Sequence, residues 1–325
     1  LSESERLRLL ASQATAAGYA FAFYRMPNER LIKFVAGKTL SHIDHEDLSS
    51  LGSGYLISSF EGQHYFFEKE VAYVDSSENE NIELLLSDGK LDSNIPWKPY
   101  VKVNKSGETM IEQYIKNVSH CIEEINGSEL IKVVPSRTKK VSFDNLQLPE
   151  VFIRLCEAYP SAYISITAAP ELGTWVGATP ETLIEVNQEG IFKTMSLAGT
   201  QEYKGEPLHT LPWTQKEIEE QAMVSRYIIN RFKEIRLREF IEVGPRTVMA
   251  GNMAHLCSTF TVDTAAANFT DLGSVMLGLL HPTSAVCGMP KKQAKKLINQ
   301  IEDHDRRLFS GYLGPVNMAE GSYIY

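Results

Sequence analysis

Ala162-Tyr163-Ile164-Ser165-Ile166-Thr167-Ala168 is followed by Thr174-Trp175-Val176-Gly177, Thr182-Leu183-Ile184-Glu185-Val186 and Ile191-Phe192-Lys193-Thr194-Met195. These four runs are rich in β-branched and aromatic residues, glycine and proline separate them, and Gln188-Glu189-Gly190 reads as a turn, so they predict consecutive strands. Upstream, Val151–Tyr159 predicts a helix stopped by Pro160, and Glu108–Ile125 carries Ile111, Tyr114, Ile115, Val118, Cys121 and Ile122 at helical spacing. Lys132 follows on a short strand. Downstream, Thr214–Ile235 predicts a long helix, His255–Val262 a strand and Pro290–Glu302 a helix. Strands in runs, with helices inserted between the runs, define an α+β fold rather than alternating βαβ units.

Towards the N-terminus, Glu5–Gly18 carries a loose helical stripe. Tyr19–Phe23 and Leu31–Val35 read as strands of an interrupted meander, and the polar stretch 76–98 reads as a surface excursion. No linker divides the 325 residues, so one large domain is expected.

Composition narrows the function. Hydrophobic residues at 43% and charged residues at 22% are ordinary for a globular protein, and no apolar run is long enough to cross a bilayer. The first residues lack the basic and apolar blocks of a signal peptide, so a cytoplasmic location is expected. A net charge of −9 argues against nucleic-acid binding while leaving room for a local cationic site for a small anion. Cys121, Cys156, Cys257 and Cys287 form no CxxC pair, so they read as reduced thiols rather than zinc ligands or a disulfide frame. No GxGxxG, P-loop or HExxH motif is present.

Several residues could carry chemistry. Lys132, in Ile131-Lys132-Val133-Val134, has apolar neighbours that could desolvate it into a base, although such a lysine is more often a snorkelling strand-end residue. Glu181 follows Gly177-Ala178-Thr179-Pro180, a turn able to hold a carboxyl in a proton-donating state, and an exposed strand-end carboxylate is the commoner case. Strand alternation does not choose between it and Glu185. Thr214 with Glu217 matches a capping box, and Glu220 on the same face is a possible Mg²⁺ ligand or simply part of an acidic, solvated helix face. Leu197-Ala198-Gly199-Thr200 could bring backbone N–H groups to a carboxylate or be a plain turn. His255 could line a pocket or sit satisfied in the core, and the small residues of His281–Pro290 could bind an anion or merely cap a helix.

The ordered set Lys132-Val133-Val134-x-Ser136-Arg137, Gly177-Ala178-Thr179-Pro180-Glu181, Leu197-Ala198-Gly199-Thr200, Lys216-x-x-x-Glu220-Gln221, His255-Leu256-x-Ser258 and His281-Pro282-Thr283-x-Ala285-Val286-Cys287-Gly288-x-Pro290 resembles the chorismate-utilising enzymes, isochorismate synthases in particular. The likeness runs from about Glu108 to Gly314, with residues 1–107 as a variable N-terminal part. It implies large antiparallel β-sheets flanked by helices, and a Mg²⁺-dependent isomerisation of chorismate to isochorismate. By the resemblance, Lys132 is the general base activating water for attack at C2, and Glu181 is the general acid for the departing C4 hydroxyl. Glu220 binds Mg²⁺, and Gly199, Thr200, His255, Thr283, Ser284 and Ala285 line the substrate site.

Keeping Lys132 sets the chain apart from ammonia-using anthranilate synthases, so no glutaminase partner is expected, and a monomer is. Salicylate synthase, which goes on to eliminate pyruvate, is the alternative activity. The sequence departs from the family's pattern at Gln221, where histidine is usual, and at Arg307, where glycine is usual. It also ends at Ser322-Tyr323-Ile324-Tyr325, before a family segment with a second metal-binding glutamate, an arginine, a Gly-Ala-Gly turn and a lysine. On that last ground a non-catalytic chorismate-binding relic is a further alternative, beside a removed or disordered tail.

Overall fold

A computed structural model describes residues 2–44, 47–74, 78–80, 97–102, 107–251 and 253–325. The polar stretch 76–98 lies largely outside them. Among the described residues the strands form four sheets, all of whose pairings are antiparallel. Six helices of eight or more residues lie against them.

The first predicted run, Tyr163–Ala169, is buried along its whole length and pairs on one side with Gly173–Thr179 and on the other with Ala20–Arg25. Ile32–Gly37, Val71–Val74 and Glu78–Glu80 complete that sheet. Residues 20–74 do not form one meander. Leu40–Ile43, Gly54–Ser58 and His64–Glu68 leave for a second sheet closed by the distant Tyr312–Val316. The two sheets share a core in which Tyr24, Tyr55, Phe67 and Tyr163 stack, and the Tyr55 and Tyr163 hydroxyls lie 2.9 Å apart.

A third sheet runs Ile241–Ala250, Met253–Asp263, Ile191–Glu202, Ile184–Asn187, Gly321–Ile324. The Ile191–Glu202 strand alternates buried and partly buried residues, so one face can be sealed by a helix. That helix is Gln215–Glu234, which buries Tyr227, Ile228 and Phe232 against Phe192, Phe260 and the apolar Leu272–Leu280 helix. Its start is fixed by the expected capping box: Thr214 N–H and hydroxyl donate to Glu217 Oε2, which lowers the Glu217 pKa.

The fourth sheet is only Lys132–Val133 paired with Gly288–Met289. This ladder requires a glycine: Gly288 has φ +145°, and a Cβ there would stand 2.2 Å from the Lys132 carbonyl oxygen. Beyond Lys132 the chain is tied down by Glu302, which accepts from the Ser136 N–H (2.6 Å) and hydroxyl (3.0 Å) and from Arg306 Nε (2.8 Å). Arg306 in turn donates to the carbonyls of Val134 and Val286. The four cysteines are free thiols. No helix among the described residues is long and apolar enough to cross a membrane.

Candidate active site

Lys132 leaves its short strand towards the Gln215–Glu234 helix, where Nζ donates to Glu220 Oε1 at 3.3 Å. The lysine side chain is 21% exposed and the glutamate 39%, so the pair is partly open to solvent rather than in the core. Glu181 comes from a third element, the segment between Gly173–Thr179 and Ile184–Asn187. Burial pushes its carboxyl up to about 7, against the opposing charge of Lys132. Glu185, the other carboxyl the sequence left open, is held in a separate ion pair by Lys193, 3.2 Å from its Oε1.

A cavity of about 90 Å³ opens beside Glu181, bounded among others by Thr179, His281, Thr283, Ser310 and Tyr325. His281 is held neutral, its pKa pushed down to about 4 by burial and by the Lys291 charge. Its Nε2 donates to the Ser59 carbonyl at 3.2 Å, which leaves Nδ1 without its proton. Lys291 donates to the carbonyls of Leu279 and His281, which anchors the turn carrying Thr283. Tyr325 stacks on Tyr163 with ring centroids 4.1 Å apart, and burial raises its pKa. Neither His281, Ser310 nor Tyr325 was singled out as a site residue from sequence.

Beside the start of the Gln215–Glu234 helix, Gly199 sits at φ +67° in a bulge between Ala198 and Thr200, and a Cβ there would stand 3.0 Å from Glu217 Cβ. The capped end of the helix therefore lies directly on the bulge, one turn from Glu220. Thr200 is paired with His255 across the sheet, with 3.2 Å between Thr200 Oγ1 and His255 Nδ1. Burial lowers the His255 pKa, so the ring is neutral near pH 7. Of the His281–Pro290 residues, Thr283 reaches the Glu181 cavity, Ser284 is buried with an unpartnered hydroxyl, and Ala285 is partly exposed.

Behind Glu220, Gln221 turns into the sheet. Its Nε2 donates to the Ser196 hydroxyl (2.8 Å) and carbonyl (3.3 Å) and lies 3.4 Å from the Ser258 hydroxyl, while its Oε1 is buried without a partner. No group of three or more His, Cys, Asp or Glu side chains gathers into a metal site among the described residues. Glu217 is committed to the helix cap, which leaves Glu220 as a single carboxylate donor. That fits Mg²⁺, which is commonly held by one or two carboxylates together with substrate oxygens and water.

The fold agrees with what known proteins show. The chorismate binding enzyme family matches residues 65–323, and the chain belongs to that family. It is 25% identical over 210 residues to the vibriobactin-specific isochorismate synthase of Vibrio cholerae, an overlap of 62% of this chain and 52% of that protein. Over 219 residues it is 29% identical to isochorismate synthase 2, chloroplastic, of Arabidopsis thaliana, covering 65% of this chain and 38% of the relative. The chain spans about half the length of the first curated relatives it matches. Among solved structures, the menaquinone-specific isochorismate synthase of Escherichia coli superposes with a TM-score of 0.71 at 16% identity, covering 97% of this chain and 80% of that one. Anthranilate synthase component I of Streptococcus pneumoniae superposes at 0.59 and 16% identity, covering 94% and 80%. The antiparallel α+β architecture expected from the sequence is thus the one shared with these neighbours.

Proposed function

We propose that the protein isomerises chorismate to isochorismate. The observation that carries this reading is a buried carboxyl within electrostatic reach of Lys132, that of Glu181, whose pKa of about 7 keeps a large fraction of it protonated at neutral pH. A base and an acid brought in by separate elements suit a reaction that adds water at one ring carbon and expels hydroxide from another. Released from Glu220 as the neutral amine, Lys132 takes the proton of the water attacking C2. The ring's conjugated double bonds carry the electron pair towards C4, and Glu181 protonates the departing hydroxyl so that it leaves as water. An acid with a pKa near the working pH is close to the optimum for such a transfer, worth roughly 10²–10⁴ in rate.

Thr283 and neutral His281 share the cavity with Glu181 and shape its access to the ring, while Thr200 and His255 would offer uncharged polar contacts. Glu220 is the residue that would hold Mg²⁺, whose charge would neutralise the ring carboxylate of chorismate. A lysine-activated water needs no ammonia, so no glutaminase partner is required. The reading is tested by running the reaction in heavy-oxygen water. The product must gain one solvent oxygen, at C2; an unlabelled product would mean that the C4 hydroxyl migrates, leaving Lys132 without its assigned role.

A further inference from the structure

A further cavity, of about 250 Å³, has a lining that shares no residue with those at Glu181. In a chain of net charge −9 it concentrates Arg137, Lys139, Arg306 and Arg307 against a single acid, Asp305. Arg306 is neutralised by Glu302. Arg137, Lys139 and Arg307 have no carboxylate side-chain partner among the described residues for their cationic groups, and the Asp305 carboxylate accepts the backbone N–H of Arg307 at 2.8 Å.

Two aromatic walls complete the cavity. Phe309 stands 56% exposed at its rim, and the Arg307 guanidinium lies 5.1 Å from the centroid of the Trp175 ring. Both groups are tethered to one point, because Trp175 Nε1 (3.0 Å) and Arg307 Nη2 (2.6 Å) donate to the same Leu172 carbonyl. Arg307 keeps this position at φ +53°, a left-handed conformation unfavourable for a non-glycine residue. The family's usual glycine would avoid that cost, but it would also remove the cation.

We infer that this cavity is a second binding site, for a small carboxylate carrying a flat ring, separate from the Lys132–Glu181 centre. Arg137, Lys139 and Arg307, which have no carboxylate partner among the described residues, take the carboxylate, and Trp175 and Phe309 take the ring. The volume falls just below the usual range of small-molecule pockets and so restricts the ligand to about a single ring. The inference stands apart from the proposed reaction, since none of the residues it uses acts on Glu181 or Lys132.

The test uses intact protein labelled with fluorotryptophan, in which the three tryptophans give separate fluorine NMR signals, with Trp175 assigned by Trp175→Phe. Benzoate is expected to shift the Trp175 signal saturably while leaving those of Trp97 and Trp213 in place. Arg307→Gly, which relieves the backbone, and Arg137→Gln should each weaken binding about tenfold, as loss of one charge-assisted contact does. Lys132→Ala and Glu181→Gln should bind benzoate like the parent. The inference is overturned if sodium chloride at equal ionic strength reproduces the shift, if the arginine variants bind unchanged, or if Lys132→Ala abolishes the shift. Failure of the isomerase reading would leave the benzoate result untouched.

Discussion

Lys132 Nζ and Glu220 Oε1 lie 3.3 Å apart although 88 positions separate them in the chain, so a two-residue strand and the second turn of a long helix meet at a single ion pair. The contact depends on Gly288 beneath Lys132 and on the Thr214–Glu217 cap and Gly199 bulge that fix the helix end. Half-exposed pairs of this kind contribute at most about 1 kcal/mol to stability. The value of the pair therefore lies in where it holds the lysine.

Lys132→Ala is expected to lower kcat by roughly 10²–10⁴ while costing less than about 1 kcal/mol of stability. Steady-state kinetics and urea unfolding on the same preparation check both halves. A rate within a few-fold of the parent would remove Lys132 from the mechanism.

Glu181 ties rate and stability to pH. Its folded pKa of about 7 lies above the ordinary glutamate value of 4.5. The folded state therefore binds more protons in between, and stability falls as pH rises from about 4.5 to beyond 7, by on the order of 3 kcal/mol in total. Glu181→Gln should match the parent near the acid end and exceed it in unfolding free energy at about pH 8, while losing roughly 10²–10⁴ in kcat. In the parent, kcat should decline above about pH 7 as the acid deprotonates. A flat profile through pH 8 would show that another group donates the proton.

Gly288→Ala places a Cβ 2.2 Å from the Lys132 carbonyl oxygen at a backbone angle of +145°. A loss of roughly 2–4 kcal/mol is expected, together with impaired turnover, because the Lys132 strand must shift. The unfolding midpoint and kcat read the two effects.

Gln221→Leu removes the donor that the Ser196 hydroxyl and carbonyl accept from, and with it the unpartnered Oε1. Losing the donor costs more than losing the orphan gains, so a net loss of about 1 kcal/mol is expected by urea unfolding. A gain in stability would mean that the buried Oε1 is the dominant strain.

The parts of the architecture that could be read in the sequence are those with a local signal. Tyr163–Ala169 and Ile191–Glu202 announce themselves by β-branched residues between glycines, and the Gln215–Glu234 helix by its capping box. Ile241–Ala250 was missed because its first six residues are exposed and Gly244-Pro245 interrupts it, so no apolar face marks the strand. Leu272–Leu280 is too short and too uniformly apolar to show a helical period. In the site, Lys132, Glu181 and Glu220 were legible through ordered motifs, whereas Tyr325 and Ser310 reach the Glu181 cavity only through long-range packing. The pairing of Lys132–Val133 with Gly288–Met289 is equally non-local, and nothing in either dipeptide announces it.

The most direct measurement is to incubate the protein with chorismate, Mg²⁺ and ammonium and identify the product by NMR. Isochorismate formed reversibly, without pyruvate and without nitrogen in the product, is the predicted result. Anthranilate would contradict the water-activating role of Lys132, salicylate with pyruvate would make isochorismate an intermediate rather than the product, and absence of turnover would contradict the proposed activity outright.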